Sequence, residues 1–196
     1  MGPHWFHHPT TITIWYATFA FWFIPEIILS RRRPGKDARK ADRRSKIIVI
    51  TAVNLGILLG FTAAFQAPGF SIGIHWETWF VAGIAVWLGG ILFRWYSILT
   101  LGRFFTFDVA FSSNQHVVER GPYRWLRHPS YLGSLLAMIG FGMTFANWLA
   151  LILPVCCLAA AYAYRIPVEE QALVQYLGSD YDDYMQRTWR VIPYLF

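Results

Sequence analysis

Residues 121–133, reading GPYRWLRHPSYLG, place two arginines, a histidine and two tyrosines directly before a long apolar run. Polar and charged side chains at the edge of an apolar segment are costly unless they bind something. The chain that leads into this stretch from Leu101 is polar, and an apolar run follows it. We therefore interpret residues 121–133 as part of a binding site whose walls are formed by the other segments.

The composition excludes an ordinary soluble globule. Of the 196 residues, 56% are hydrophobic and only 14% are charged, which leaves too little polar surface to cover a soluble domain. We predict a single integral membrane domain over residues 1–196, with membrane lipids as partners. The net charge of +6 does not indicate nucleic acid here, because the position of each positive charge is better explained by a membrane.

Five apolar runs predict membrane-spanning helices, at residues 10–30, 47–65, 77–99, 131–145 and 148–166. The fourth has only 15 residues, about 22 Å at helical rise. We therefore predict a tight hairpin with the fifth, through Ala146 and Asn147. Pro167 removes a backbone donor and predicts a kink or an end of the fifth span near Ala163.

Positive charge predicts the orientation. Residues 31–46 hold nine of the seventeen lysines and arginines, so this loop is predicted to face the cytoplasm and anionic lipids. Counting crossings from it gives an outside N-terminus and a cytoplasmic C-terminus, with all seventeen positive charges at or near the cytoplasmic face. The residues after Ile166 show helical spacing, with Gly178 as a candidate C-cap. The predicted fold is an all-α integral membrane protein with about five transmembrane helices and a cytoplasmic C-terminal amphipathic helix.

Within this domain, residues 1–99 form three N-terminal spans with the basic loop, and residues 100–196 are predicted to form the catalytic region. Gly56 and Gly60 have the spacing of a close helix contact, which we assign to packing within the chain. Arg94 lies near the cytoplasmic end of the third span. It either extends to the membrane surface or pairs with Glu26, which lies at a similar depth in the first span.

Several motifs are missing from the sequence. It contains no GxGxxG, P-loop, HExxH or CxxC pattern, so nucleotide-binding, zinc-protease and redox readings lack support. We predict no metal site, and interpret His4, His7 and His8 as a solvated terminus.

A second polar pair lies at the same membrane face. Arg165 and Glu169 are four residues apart and share a face if the helix continues through Pro167. They form either a simple salt bridge or a fixed cation and anion for a ligand that carries both charges. The order, with arginine first, is the less favourable one for a helical salt bridge.

These motifs resemble the isoprenylcysteine carboxyl methyltransferases and their bacterial and archaeal relatives. The family pattern H-x-L-V-x-x-G-x-Y, R-H-P-x-Y-x-G, R-x-x-x-E-E and G-x-x-Y-x-x-Y, with a basic, proline-containing end, is matched in order. The matching residues are 117–123, 127–133, 165–170, 178–184 and 187–193. Leu101 to Thr106, LGRFFT, is similar to the bacterial branch. The resemblance is specific over residues 100–193 and only topological before them.

The resemblance implies S-adenosyl-L-methionine as the methyl donor, bound at the cytoplasmic face. The residues carried over to donor binding are Val117, Val118, Tyr123, His128, Pro129, Ser130 and Tyr131. The family's first histidine aligns with Gln115, and His116 follows one place later, so both are candidates. The resemblance also implies that Glu169 contacts the donor and that Arg165 faces the acceptor carboxylate, which makes these two the candidate catalytic residues.

The predicted function is methylation of the carboxylate of a lipophilic acceptor, either a lipophilic small molecule or a prenylated, prenylcysteine-like substrate. One alternative keeps the fold and donor and changes the acceptor to a phospholipid amine or a small thiol. Another is a non-catalytic membrane scaffold whose buried charges only fix helix packing. The sequence makes no prediction of oligomeric state.

Overall fold

The computed structural model describes residues 3–30, 39–42, 44–72, 75–105, 109–111 and 116–193. The helices are α1 (Pro9–Ser30), α2 (Arg44–Gln66), α3 (Trp76–Leu101), α4 (Pro129–Met143), α5 (Trp148–Leu177) and α6 (Ser179–Arg187). Two short strands, β1 (Arg39–Asp42) and β2 (Val109–Phe111), pair antiparallel. Short 3-10 helices lie at His4–His7, Pro68–Phe70, Gly102–Phe104 and Gly121–Arg124.

The predicted membrane spans are confirmed. Among the described residues, α1, α2, α3 and α5 are long and apolar enough to cross a membrane, and α4 is an apolar helix of 15 residues. The chain is therefore an integral, multi-pass membrane protein of the all-α class. The strand pair β1–β2 was not predicted, since neither segment shows the alternation of apolar and polar residues that marks a strand. Most of the basic loop, residues 31–38 and 43, lies outside the described residues.

The hairpin between α4 and α5 turns through Ala146 and Asn147, as predicted. Ala146 takes a left-handed conformation, with φ of 46°. Asn147 caps α5, because its side-chain oxygen accepts hydrogen bonds from the backbone nitrogens of Leu149 and Ala150 at 3.0 and 3.1 Å. Its side-chain nitrogen donates to the carbonyl oxygen of Ala67 at 2.9 Å. One side chain thus fixes both the turn and its contact with the end of α2.

Helix α5 continues through Pro167 to Leu177, so it does not end near Ala163. Prolines are tolerated in membrane helices because neighbouring groups compensate the lost backbone bond. The residues predicted to form a separate cytoplasmic helix after Ile166 are therefore partly the end of α5. The short amphipathic helix α6 follows after Gly178, whose φ is 62°.

Helices α3 and α4 lie almost in backbone contact. A methyl group built on Gly140 would lie 2.2 Å from the backbone nitrogen of Trp87, and one on Gly90 would lie 2.3 Å from that of Ala137. Only glycine permits so close an approach. The resulting van der Waals contacts hold the two helices together, because lipid supplies no hydrophobic driving force between helices. Gly56 and Gly60 likewise pack against Pro154 of α5, which confirms their assignment to contacts within the chain.

The core of the bundle is aromatic. Trp15 is 1% exposed and stacks on Trp5 with ring centroids 5.2 Å apart, and its indole nitrogen donates to the hydroxyl of Thr144 at 3.0 Å. Trp87 and Phe141 pack edge to face at 5.4 Å beside it. Close-packed rings of this kind supply the dispersion contacts that hold α1, α3 and α4 together in one bundle.

Candidate active site

The tail of the chain folds back on residues 123–128. The backbone nitrogens of Arg127 and His128 donate to the carbonyl oxygens of Trp189 and Arg190 at 2.8 and 2.9 Å. The nitrogen of Trp189 in turn donates to the carbonyl oxygen of Trp125 at 2.9 Å. Residues 125–128 and 189–190 therefore run side by side as a short parallel bridge.

Tyr184 of α6 strengthens the same contact. Its hydroxyl lies 2.8 Å from the carbonyl oxygen of Tyr123 and 3.2 Å from that of Leu126. Burial, together with the nearby Glu119 carboxylate, raises the pKa of the Tyr184 phenol well above its usual range. The phenol therefore stays neutral and remains a hydrogen-bond donor to these carbonyls.

Glu170 contacts two guanidinium groups and one imidazole ring at this junction. The side chain is 5% exposed and accepts from the guanidinium groups of Arg127 at 2.7 Å and Arg190 at 2.9 Å. The ring of His128 lies 3.3 Å from the same carboxylate. Arg127 also donates to the carbonyl oxygens of Met185 and Thr188 at 2.7 and 2.6 Å. The network fixes α5, the tail and the turn before α4 relative to one another.

Beside this junction lies a pocket with an empty volume of about 1120 Å³, part of it open to solvent. Helix α2 contributes Lys46, Val49 and Ile50 to its lining.

The predicted pair Arg165 and Glu169 lies on the pocket wall, with Tyr131 between them. The guanidinium of Arg165 donates to the Tyr131 hydroxyl at 2.7 Å, and that hydroxyl donates to the Glu169 carboxylate. The direct separation of the two charged groups is 3.8 Å. Arg165 also donates to the hydroxyl of Ser45 at 3.1 Å. The two residues share a face of α5, as predicted for a helix that continues through Pro167.

Aromatic rings line the space next to this pair. The rings of His128 and Tyr131 are parallel with centroids 5.3 Å apart, and Tyr131 stacks on Tyr162 at 4.3 Å. Tyr123 is buried on the same wall. Burial, and then the Glu169 carboxylate, raises the pKa of its phenol above the usual range. The pocket thus combines a fixed carboxylate, a fixed guanidinium and several aromatic rings.

Most of the residues singled out from the sequence meet in this pocket. Lining it are His116, Val117, Val118, Tyr123, His128, Ser130, Tyr131, Arg165 and Glu169. Pro129 is fully buried at the first turn of α4 and is not part of the lining. Gln115 lies outside the described residues. His116 is exposed, with its ring 5.0 Å from that of Phe104.

Sequence reasoning missed several members of the site. Glu170 was recognised only as part of a matched pattern, with no role assigned to it. Tyr162 lies three residues before Arg165, and this helical spacing was a usable signal that it shares the same face. The wall from α2 carried no local signal, since Val49 and Ile50 look like ordinary lipid-facing residues.

The fold and the pocket define an integral membrane protein whose pocket, lined by apolar, aromatic and charged side chains, lies at one end of its helices. A family model described as "Isoprenylcysteine carboxyl methyltransferase (ICMT) family" matches residues 83–175. Over these residues the chain is similar to the isoprenylcysteine carboxyl methyltransferase family.

Individual relatives agree with this assignment. A probable protein-S-isoprenylcysteine O-methyltransferase of Oryza sativa subsp. indica is 28% identical over 150 residues, which cover 74% of this chain and 76% of the rice protein. A protein-S-isoprenylcysteine O-methyltransferase of Tribolium castaneum is 34% identical over 139 residues, 69% of this chain and 48% of the insect protein. A solved structure of a eukaryotic intramembrane Ras methyltransferase, ICMT, matches with a TM-score of 0.61 and 25% identity, covering 96% of this chain and 69% of the other.

Proposed function

We propose that this protein transfers a methyl group from S-adenosyl-L-methionine to the carboxylate of a lipophilic, prenylcysteine-like acceptor. The observation that carries the proposal is the juxtaposition of Arg165, Tyr131 and Glu169 on one pocket wall at the ends of apolar helices. Similarity to this family supports the reaction class, because the relatives are named as isoprenylcysteine O-methyltransferases.

The pocket fits the chemistry of the donor. When bound, S-adenosylmethionine supplies an electrophilic methyl group on a sulfonium sulfur, beside an ammonium and an aromatic base. Glu169, whose side chain is 26% exposed, would meet the ammonium group. The faces of Tyr123 and Tyr131 would cover cationic and aromatic parts. The remaining donor-binding candidates are His116, Val117, Val118, His128 and Ser130 on the wall, Pro129 behind it, and Gln115.

Arg165 is the candidate for holding the acceptor. A guanidinium offers two parallel donors to a carboxylate, which fixes its orientation as well as its position. The acceptor carboxylate is already ionised at neutral pH, so the chain need not supply a strong base. Its contribution is alignment and exclusion of water, which together lower a barrier by up to roughly 7–11 kcal/mol. The apolar neighbours Val49 and Ile50 suit the hydrocarbon part of a lipophilic acceptor.

We further propose that residues 100–196 form the catalytic region of one membrane domain, and that the pocket and the C-terminus face the cytoplasm. The distribution of lysine and arginine supports the orientation. The pocket wall also includes Lys46, Val49, Ile50 and Arg94, so the second and third spans contribute to the site.

Single cysteines test the orientation. In a background without Cys156 and Cys157, cysteines at positions 40 and 179 should react with a label added from the cytoplasmic side. A cysteine at the exposed position 71 should react only from the outside, because an odd number of spans separates it from each of the other two. Labelling of positions 40 and 71 from the same side would contradict the proposed topology.

Calorimetry on the purified protein in detergent tests the donor site. We expect the wild type to bind S-adenosylmethionine, and we expect Glu169→Gln to weaken binding about 10- to 100-fold, because a charge-assisted contact contributes roughly 1.5–3 kcal/mol. Exposed Glu119 supplies the matched control, since Glu119→Gln removes a carboxylate outside the pocket and should leave affinity unchanged. A wild-type dissociation constant weaker than millimolar would overturn the methyltransferase proposal.

A further inference from the structure

An ion pair joins α1 and α3 close to the pocket. Arg94 donates through two guanidinium nitrogens to the carboxylate of Glu26, one of them at 2.9 Å. Side-chain exposure is 7% for Arg94 and 21% for Glu26. The pairing resolves the two alternatives left open by the sequence, since Arg94 turns inward and does not extend to the membrane surface.

Arg94 is also a wall of the pocket. It lines the same space as Tyr131 and Tyr162, and it also donates a hydrogen bond to the carbonyl oxygen of Ser130 at 3.2 Å. The first turn of α4 is pressed against it, since a methyl group on Gly133 would lie 2.8 Å from the Arg94 Cα. The positive charge of Arg94 therefore contributes to the electrostatic potential inside the pocket.

A cation in this wall opposes the proposed ligand. S-adenosylmethionine carries a positive sulfonium, whereas its product, S-adenosylhomocysteine, carries a neutral thioether at the same atom. Charges interact strongly across a pocket of low polarity, and a neighbouring carboxylate cancels most of that field. Glu26 is the carboxylate that contacts Arg94.

We propose that Glu26 is a specificity-determining residue, which offsets the charge of Arg94 so that the pocket accepts the sulfonium donor in preference to the thioether product. The inference rests on the proposed function. It assigns to the first helix a role in ligand choice, although that helix contributes no residue to the described lining of the pocket.

A purely structural ion pair makes a different prediction. Breaking it would loosen the turn before α4 and weaken donor and product binding by the same factor. Loss of charge compensation weakens binding of the cation alone. The ratio of the two dissociation constants therefore separates the two roles, independently of activity.

The test is calorimetric titration of both ligands into the protein in detergent. For Glu26→Gln we expect about tenfold weaker binding of S-adenosylmethionine and less than about twofold weaker binding of S-adenosylhomocysteine. Removing both charges, in Glu26→Gln with Arg94→Gln, should return the ratio to within about twofold of wild type. Thr144→Val, which removes a buried inter-helix hydrogen bond at the other end of α1, is the structural control and should leave the ratio unchanged.

Each result has one meaning. If wild type binds neither ligand, the proposed function fails. If wild type binds both, and Glu26→Gln weakens both equally or the double variant keeps the altered ratio, the proposed function stands and the role of Glu26 fails. Should Glu26→Gln not fold, Arg94→Gln decides, because it leaves Glu26 uncompensated and should favour the donor over the product more than the double variant does. Equal ratios in those two variants would overturn the proposal.

Discussion

Replacing Arg165 with lysine should lower the rate of methyl transfer roughly 100-fold while leaving the affinity for S-adenosylmethionine within about twofold of wild type. Lysine keeps the positive charge but loses the planar fork that grips a carboxylate at two points. Arg165 already donates one hydrogen bond to Tyr131 and another to Ser45, so the orientation of its guanidinium group is fixed before an acceptor binds. A flexible ammonium cannot reproduce that alignment.

The assay follows a labelled methyl group onto a prenylcysteine analogue and onto the same analogue with its carboxylate amidated. Wild type should methylate only the acid. Arg187→Lys is a matched control, since Arg187 is 59% exposed in its side chain and lies outside the pocket. Equal methylation of acid and amide, or normal turnover by Arg165→Lys, would contradict the carboxylate assignment and favour a thiol or amine acceptor.

Replacing Glu170 with alanine should destabilise the protein by about 3–5 kcal/mol, which is typical when one partner of a buried ion-pair network is removed. The change leaves Arg127 with no carboxylate at its Nε contact and removes the link to Arg190. We expect a lower melting temperature in detergent and faster proteolysis after residue 177, because the tail loses its attachment to α5.

Glu119→Gln is the comparison for this second prediction. Its carboxylate pairs with Arg187 at 3.2 Å, and both side chains are largely exposed, so its loss should cost at most about 1 kcal/mol. If the two variants melt at the same temperature, the Glu170 network does not stabilise the tail.

Hydropathy predicted the bundle because crossing a membrane imposes both a length and a composition on each helix. Asn147 and the two packing glycines of α2 were also accessible, since each follows a local rule for turns or close contacts. Pro167 was misjudged as a possible helix end, because the rule that proline ends helices describes water, where no neighbouring helix compensates the lost bond.

The site was accessible only in part. Arg165 and Glu169 share a helix, so their spacing alone predicted that they would meet. Glu170 contacts Arg127, 43 residues before it, and Arg190, 20 residues after it. No local sequence pattern predicts contacts over such separations. The pairing of Glu26 with Arg94 remained one of two alternatives. The sequence predicts that the two residues lie at a similar depth in the membrane, but it does not predict the direction in which either side chain points.

The folding back of the tail has a consequence for biosynthesis. Tyr184 and Trp189 contact residues 123–126, so the wall that carries Tyr123 is supported by a segment that is synthesised after all five apolar helices. Chains are made from the N-terminus and their early parts fold first. A chain interrupted before α6 would therefore insert all five apolar helices and still lack a finished pocket. Membrane insertion and acquisition of the site are separate events, and a cell that monitors insertion alone would not detect the defect.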